Sequence, residues 1–336
     1  MLHHPTLSVV MANYNHARFL PESLRAILDQ SYRPAEIIII DDASKDNSVE
    51  VIKEFAGKEP IIRILHNERN MGALHTINRL FELSTGEYVC SLAADDKVLP
   101  GFFEKSMTLL ARYPQAGLCS TLGLYIDETG KDMGLVGNPI ISETECFITP
   151  AEALHTLRRV GPWVMGSSVI FRRQALIDAG GFIPELHSFC DWFIHQVIAL
   201  RYGACFIPEP LACWRSMASG WHAATTVNIR GNLEIMQHAA MLMRSTYSDL
   251  FPKDYVGERL YKAGQEAWRT TVLLQEELLQ SPYWLLPQRN WVNKVFLAGL
   301  RLSVQVQDLA VRLYLFLRFR NARRWLARKR AKSLPR

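Results

Sequence analysis

Two textures alternate along the first hundred residues. Short runs are apolar at most positions, and longer stretches repeat apolar residues every third or fourth position. Leu7 to Met11 is a run of the first kind, closed by a turn-like Asn13-Tyr14-Asn15. Arg18 to Gln30 follows with helical spacing of Phe19, Leu20, Leu24, Ile27 and Leu28. Glu36 to Ile40 predicts a second strand ending on Asp41-Asp42, and Ser44 to Ser48 then opens a helix through Phe55. A third strand, Ile61 to Leu65, leads through Asn67 to Gly72 into a helix ending at Leu83. A fourth, Glu87 to Leu92, ends on Ala93-Ala94-Asp95-Asp96.

Strands without a polar face need cover on both sides, which is the situation of a parallel sheet sandwiched between helices. The first hundred residues therefore predict a doubly wound α/β half. Ligands of such sheets bind beyond the carboxyl ends of the strands. Asn13, Tyr14, Asp41, Asp42, Asp95 and Asp96 all fall there.

Beyond Pro100 the pattern mixes: a helix from Phe102 to Tyr113, a strand near Ala116 to Tyr125, and an irregular Gly-containing stretch to Pro150. A helix over Ala151 to Val160, a strand over Val164 to Phe171, a helix over Phe189 to Tyr202 and a strand over Ala204 to Ile207 complete it. From Asn228 onward the spacing is helical almost throughout. The expected organisation is one domain over 1–220 in two halves (1–100 and 101–220), followed by a helical, basic extension over 221–336.

Charge changes the picture of that extension. The formal charge of the 336 residues is +5, yet Arg318 to Arg336 contains nine cations and no carboxylate, so the remainder sits at about −4. Phe316 just before these cations and Phe319 and Trp325 among them favour an anionic lipid surface over nucleic acid as a partner; a solvated terminus is the plainer alternative. Val292 to Phe319 is apolar at helical intervals but interrupted by charges, the pattern of an amphipathic helix, and no window reaches the apolar length of a membrane span. The six cysteines stand singly in apolar runs, without metal or redox spacing. With no export-like start, these features predict a cytoplasmic protein, peripheral on the inner face of the cell membrane.

Leu7 to Asn15, Ile37 to Ser48, Asn70 to Asn78, Gly86 to Pro100 and Gly166 to Arg215, in that order, resemble glycosyltransferase family 2. The resemblance covers about the first 215 residues. It implies the GT-A fold, a mixed and mainly parallel sheet flanked by helices, and direct transfer of one sugar from a nucleoside-diphosphate donor to a hydroxyl with inversion. It also implies a set of site residues. Ala12, Tyr14, Asp42, Arg69 and Asn70 would lie along the nucleotide, with Tyr14 stacking on the base and Asp42 accepting from a uracil-type N–H.

Family members carry an Asp-x-Asp-Asp pattern after the fourth strand. This chain has Ala93-Ala94-Asp95-Asp96, so the first carboxylate is missing and the ribose contact it usually supports is in doubt. Asp95 matches the metal ligand for Mg²⁺ or Mn²⁺, which neutralises the leaving diphosphate. Asp96 would touch the donor, or instead hold its own loop. Asp191 in Cys190-Asp191-Trp192, after Gly180-Gly181-Phe182, matches the base that takes the acceptor's proton, in a place where a carboxylate also suits a helix start. Arg215 would pair with the diphosphate. The Gln-x-x-Arg-Trp signature of processive synthases is absent, which favours addition of a single sugar.

The expected function is therefore transfer to a saccharide or lipid-linked saccharide, in bacterial surface polysaccharide or glycolipid assembly. A sugar nucleotidyltransferase is a rival, though Asn13 to His16 lacks the Gly-rich basic loop it needs. A GT-A scaffold without activity is a second, kept open by Ala93.

Overall fold

The computed structural model of the chain describes residues 5–217 and 229–258. The first part builds as its hydrophobic pattern dictates. Strand β1 (Leu7–Asn13), helix α1 (Leu20–Leu28), β2 (Glu36–Asp41), α2 (Ser48–Ala56), β3 (Ile62–His66), α3 (Ala73–Leu83) and β4 (Tyr88–Ser91) follow in order. β1 pairs in parallel with β2 and with β4, and β2 with β3. The four isoleucines of β2 are wholly buried because both sheet faces are covered. Helix α1 turns Leu20, Leu24 and Ile27 inward at intervals of three and four residues.

The rest adds β5 (Lys97–Val98), α4 (Phe102–Arg112), β6 (Leu118–Ile126), β7 (Asp132–Leu135), β8 (Cys146–Ile148) and α5 (Pro150–Val160). Then come β9 (Val169–Arg172), α6 (Arg173–Asp178), α7 (Cys190–Tyr202), β10 (Ala204–Arg215) and α8 (Ile229–Arg244). The sheet runs β3-β2-β1-β4-β9-β6-β10-β5, with β7 on β6 and β8 on β10. β9 lies antiparallel between β4 and β6, so the sheet is mixed. The winding reverses between β1 and β4, which places the topological switch point where Tyr14, Asp42 and Asp95 emerge.

Several elements differ from the sequence reading. Val164 to Phe171 is not one strand: Gly166–Ser168 forms a 3-10 turn and only Val169–Arg172 pairs. β10 continues through Pro208-Glu209-Pro210 to Arg215, because the register slips around Pro210 and absorbs the missing N–H donors as a bulge. The compact unit runs from Met1 to Val256, beyond the boundary expected at residue 220. Tyr247 and Phe251 pack on Phe193 of α7, and the Tyr255 hydroxyl donates to Gln196 Oε1 at 2.6 Å. That cover explains why α7 is buried nearly all round. The amphipathic stretch from Val292 and the basic tail lie outside the described residues.

Candidate active site

At the end of β1, Tyr14 stands exposed while Asn13 is buried. The Asn13 side-chain amide donates to Asp41 Oδ2 at 2.8 Å and to Ser44 Oγ at 3.2 Å. Asp41 also accepts from the Ser44 N–H (2.9 Å) and hydroxyl (2.6 Å), which makes it the turn-closing member of the Asp41-Asp42 pair. Asp42 is 3% exposed and does something else. Its Oδ1 accepts from Asn67 Nδ2 (2.7 Å) and Met71 N (2.8 Å), and its Oδ2 from Gly72 N (2.9 Å). Asp42 thus fixes the loop that leads into α3. Three of its roughly four acceptor sites are taken, leaving about one for a ligand. Ala12 is half-buried on β1, and Arg69 and Asn70 lie exposed on the fixed loop, where Asn70 Oδ1 accepts from Gly72 N at 2.9 Å.

The Ala93–Lys97 loop at the end of β4 is held from three sides. From α1, the Ser23 hydroxyl donates to the Ala94 carbonyl at 2.8 Å and to the Asp96 carbonyl. From β10, the Arg215 N–H donates to Asp96 Oδ1 at 2.9 Å and its Nε to the Asp95 carbonyl at 2.7 Å. From the 3-10 turn, the Ser167 hydroxyl donates to Asp96 Oδ2. Asp96 is buried as a result, and burial, reinforced by the neighbouring Asp95 charge, pushes its carboxyl up to about 7. Asp95 is half-buried, and among the described residues its carboxylate has no hydrogen-bond partner. Asp96 is therefore the internal strut of the loop and Asp95 its outward-facing acid.

The Arg215 side chain is 1% exposed. Besides the Asp95 carbonyl it reaches the Asp127 carbonyl at 2.9 Å and Glu22 Oε2 at 2.5 Å, and its guanidinium lies 4.7 Å from the centre of the Phe19 ring. What the structure shows for Arg215 is a clamp joining α1, the β6–β7 turn and the Asp95 loop. It shows no outward-facing cation for a diphosphate.

Asp191 occupies the first turn of α7. The Trp192 N–H donates to its Oδ1 at 2.6 Å, while Oδ2 lies where a Cβ on Gly166 would come within 2.7 Å, so any larger residue there would push the carboxylate aside. Burial pushes the Asp191 carboxyl up to about 6. Gly166 precedes Ser167, the partner of Asp96. Through that path the Asp191 and Asp96 carboxyls are held within roughly 13 Å of each other. The sequence reading missed Ser167, Gly166, Ser23 and Asn67. The only local signal was the small-residue run Gly166-Ser167-Ser168, which admits the close approach of Asp191.

Whether a divalent cation fits can be judged from these donors. No group of three or more metal-binding side chains exists among the described residues. One outward-facing carboxylate beside a buried one suits Mg²⁺ or Mn²⁺ completed by phosphate oxygens and water, and does not suit a closed protein cage.

A mixed, mainly parallel sheet flanked by helices, with acidic side chains at its switch point, defines the class of GT-A nucleotide-sugar transferases. The family model described as glycosyl transferase family 2 matches residues 8–180, and the chain belongs to that family. It is 41% identical over 103 residues to an uncharacterised Escherichia coli glycosyltransferase, YibD, a match covering 31% of this chain and 30% of that one. It is 33% identical over 127 residues to the putative Bacillus subtilis glycosyltransferase EpsE, covering 38% and 46% respectively. The chain thus spans less than half the length of these relatives. Among solved structures, Staphylococcus aureus TarS 1-349 with UDP-GlcNAc superposes with a TM-score of 0.69 at 16% identity, covering 92% of this chain and 91% of that one. The Pyrobaculum calidifontis mannosyltransferase PcManGT with GDP-Man and Mn²⁺ gives 0.57 at 21% identity, covering 94% and 86%. At these identities the likeness establishes the fold.

Proposed function

We propose that the chain transfers a single sugar, with inversion, from a UDP- or dTDP-linked donor to a hydroxyl of a saccharide or lipid-linked saccharide. The observation that carries this reading is the convergence of Asp95, Asp96, Ser167, Gly166 and Asp191 on one end of the sheet, at the switch point of a GT-A fold. Tyr14 offers a flat exposed face for the base, and Asp42 sets the loop carrying Arg69 and Asn70 alongside it. Mg²⁺ or Mn²⁺ bound at Asp95 would neutralise the charge that develops on the leaving diphosphate. Asp96 keeps that loop in place, and Arg215 acts on the donor through the same loop.

Asp191 accepts the proton of the attacking hydroxyl as the new C–O bond forms and the bond to the diphosphate breaks. Its raised carboxyl suits the role, because a base near pH 6 binds the proton more firmly than an ordinary aspartate while remaining ionised at neutral pH. Relatives called glycosyltransferases and neighbours holding UDP-GlcNAc or GDP-Man support a nucleotide-sugar donor. The basic tail fits docking on an anionic inner membrane face. Among the described residues no helix is long and apolar enough to cross a membrane.

The test is hydrolysis of a panel of UDP-, dTDP- and GDP-sugars with Mn²⁺. At least one should turn over, lose turnover with chelator, and lose it by about three orders of magnitude in Asp191→Asn. A chain inert towards every donor, or an Asp191→Asn variant as fast as wild type, would remove the proposal.

A further inference from the structure

Among the described residues, three other than glycine have positive φ: Asn15 (57°), Ala43 (62°) and His187 (46°). The first two are explained by their turns. Asn15 Oδ1 accepts from Lys45 N at 2.7 Å, and the Asn15 N–H donates to Ser44 Oγ at 2.9 Å. Ala43 lies inside the turn that Asp41 closes on Ser44. His187 is different, because its ψ of −125° takes it outside the left-handed helical well altogether. Such a conformation costs on the order of 1–3 kcal/mol in a residue with a Cβ, and persists only where the surroundings impose it.

The surroundings do impose it. Leu186 is fully buried on one side. Asn78 of α3 pins Phe182 by two hydrogen bonds, at 2.7 and 2.9 Å, and the His187 carbonyl accepts the Cys190 N–H that starts α7. Where this chain needs positive φ a few residues earlier it uses Gly180 and Gly181. At 187 it keeps an exposed imidazole instead, at the head of the helix whose second residue is Asp191.

We infer that His187 orients the nucleophile, an inference that rests on the proposed transferase reading. A ring N–H of His187 donates to one lone pair of the incoming hydroxyl oxygen, and Asp191 accepts that hydroxyl's proton. The other lone pair is left to form the bond to the anomeric carbon as the diphosphate departs with its bonding electrons.

Water stands in for the acceptor in Mn²⁺-supported hydrolysis of whichever donor the panel identifies, so the test needs no known acceptor. His187→Ala and His187→Gly should cut kcat by about 10- to 100-fold with donor KM within about twofold of wild type. His187→Gly should also melt at a higher temperature than wild type, since glycine relieves the backbone. His187→Asn, which keeps an N–H donor, should recover much of the lost kcat. A stable His187→Gly variant with wild-type kcat would overturn the inference while Asp191→Asn remains dead. If wild type and Asp191→Asn hydrolyse equally, the transferase reading itself has failed and this inference falls with it.

Discussion

A single carboxylate shows how strongly burial sets chemistry here. Asp191 is displaced from an ordinary 3.8 to about 6 by loss of solvent, opposed in part by the Trp192 N–H. Two consequences follow with opposite signs. In the proposed role of base it must be ionised, so kcat/KM should fall as pH drops through about 6, two units above where an exposed aspartate would place the limb; a plateau extending to pH 4.5 would contradict this. For stability, the folded state binds the proton more tightly than the unfolded chain, so folding free energy is lost as pH rises from about 4 to 6 and stays lost above. Asp191→Asn removes that penalty and can still accept from Trp192. It should be more stable than wild type at pH 8 by up to about 3 kcal/mol, with the gap closing below pH 4, as read from urea midpoints. The neighbouring Gly166 gives the complementary case. Gly166→Ala puts a methyl 2.7 Å from Asp191 Oδ2, so that carboxylate must shift, and kcat should fall about 10- to 100-fold with donor KM little changed.

Elements carry the next level, and here the hydrophobic pattern was most informative and the hydrogen bonding least. β1 to β4 were legible because mostly apolar strands between amphipathic helices leave one architecture, and their polar terminators marked the edge of the candidate site. β9 was misread because Val164, Met165 and Val169 continue an apolar run across a 3-10 turn that only tertiary contacts select. Asp42 stood out as a candidate nucleotide contact, but its occupation by Asn67, Met71 and Gly72 was not legible, since hydrogen bonds between loops leave no periodic trace. The same holds for Arg215, whose partners Glu22 and Asp127 are 193 and 88 residues away. The element-scale consequence concerns the loop into α3. Asp42→Ala leaves the Met71 N–H without its acceptor and the Gly72 N–H with only the Asn70 side chain, and should free that loop. Amide exchange should accelerate at Met71 and Gly72, and donor KM should rise about tenfold or more. Unchanged exchange at those two amides would mean that Asp42 does not hold the loop.

On the scale of the whole molecule, the question is where the folded body ends. Composition suggested residue 220, since the family resemblance and the mixed α/β pattern both stop near there. Packing carries the body further, because α7 is apolar on nearly every side and needs a second cover besides the sheet. Tyr247, Phe251 and Tyr255 provide it, and Phe193 and Gln196 would otherwise meet water. Losing three buried aromatics and the Tyr255 hydrogen bond would remove several kcal/mol from a body whose net stability is of that order. A chain ending at residue 220 should therefore aggregate or unfold at low denaturant. One ending at Val256 should keep a cooperative transition and Mn²⁺-dependent donor hydrolysis. The 1–256 chain also lacks both features on which membrane docking is proposed to rest, the amphipathic stretch from Val292 and the nine-cation tail. The 1–256 chain should no longer sediment with vesicles containing anionic lipid, whereas the full chain should do so at low salt and release as ionic strength rises. If both chains sediment equally, the attachment lies on the catalytic body, and the tail's charge has another partner.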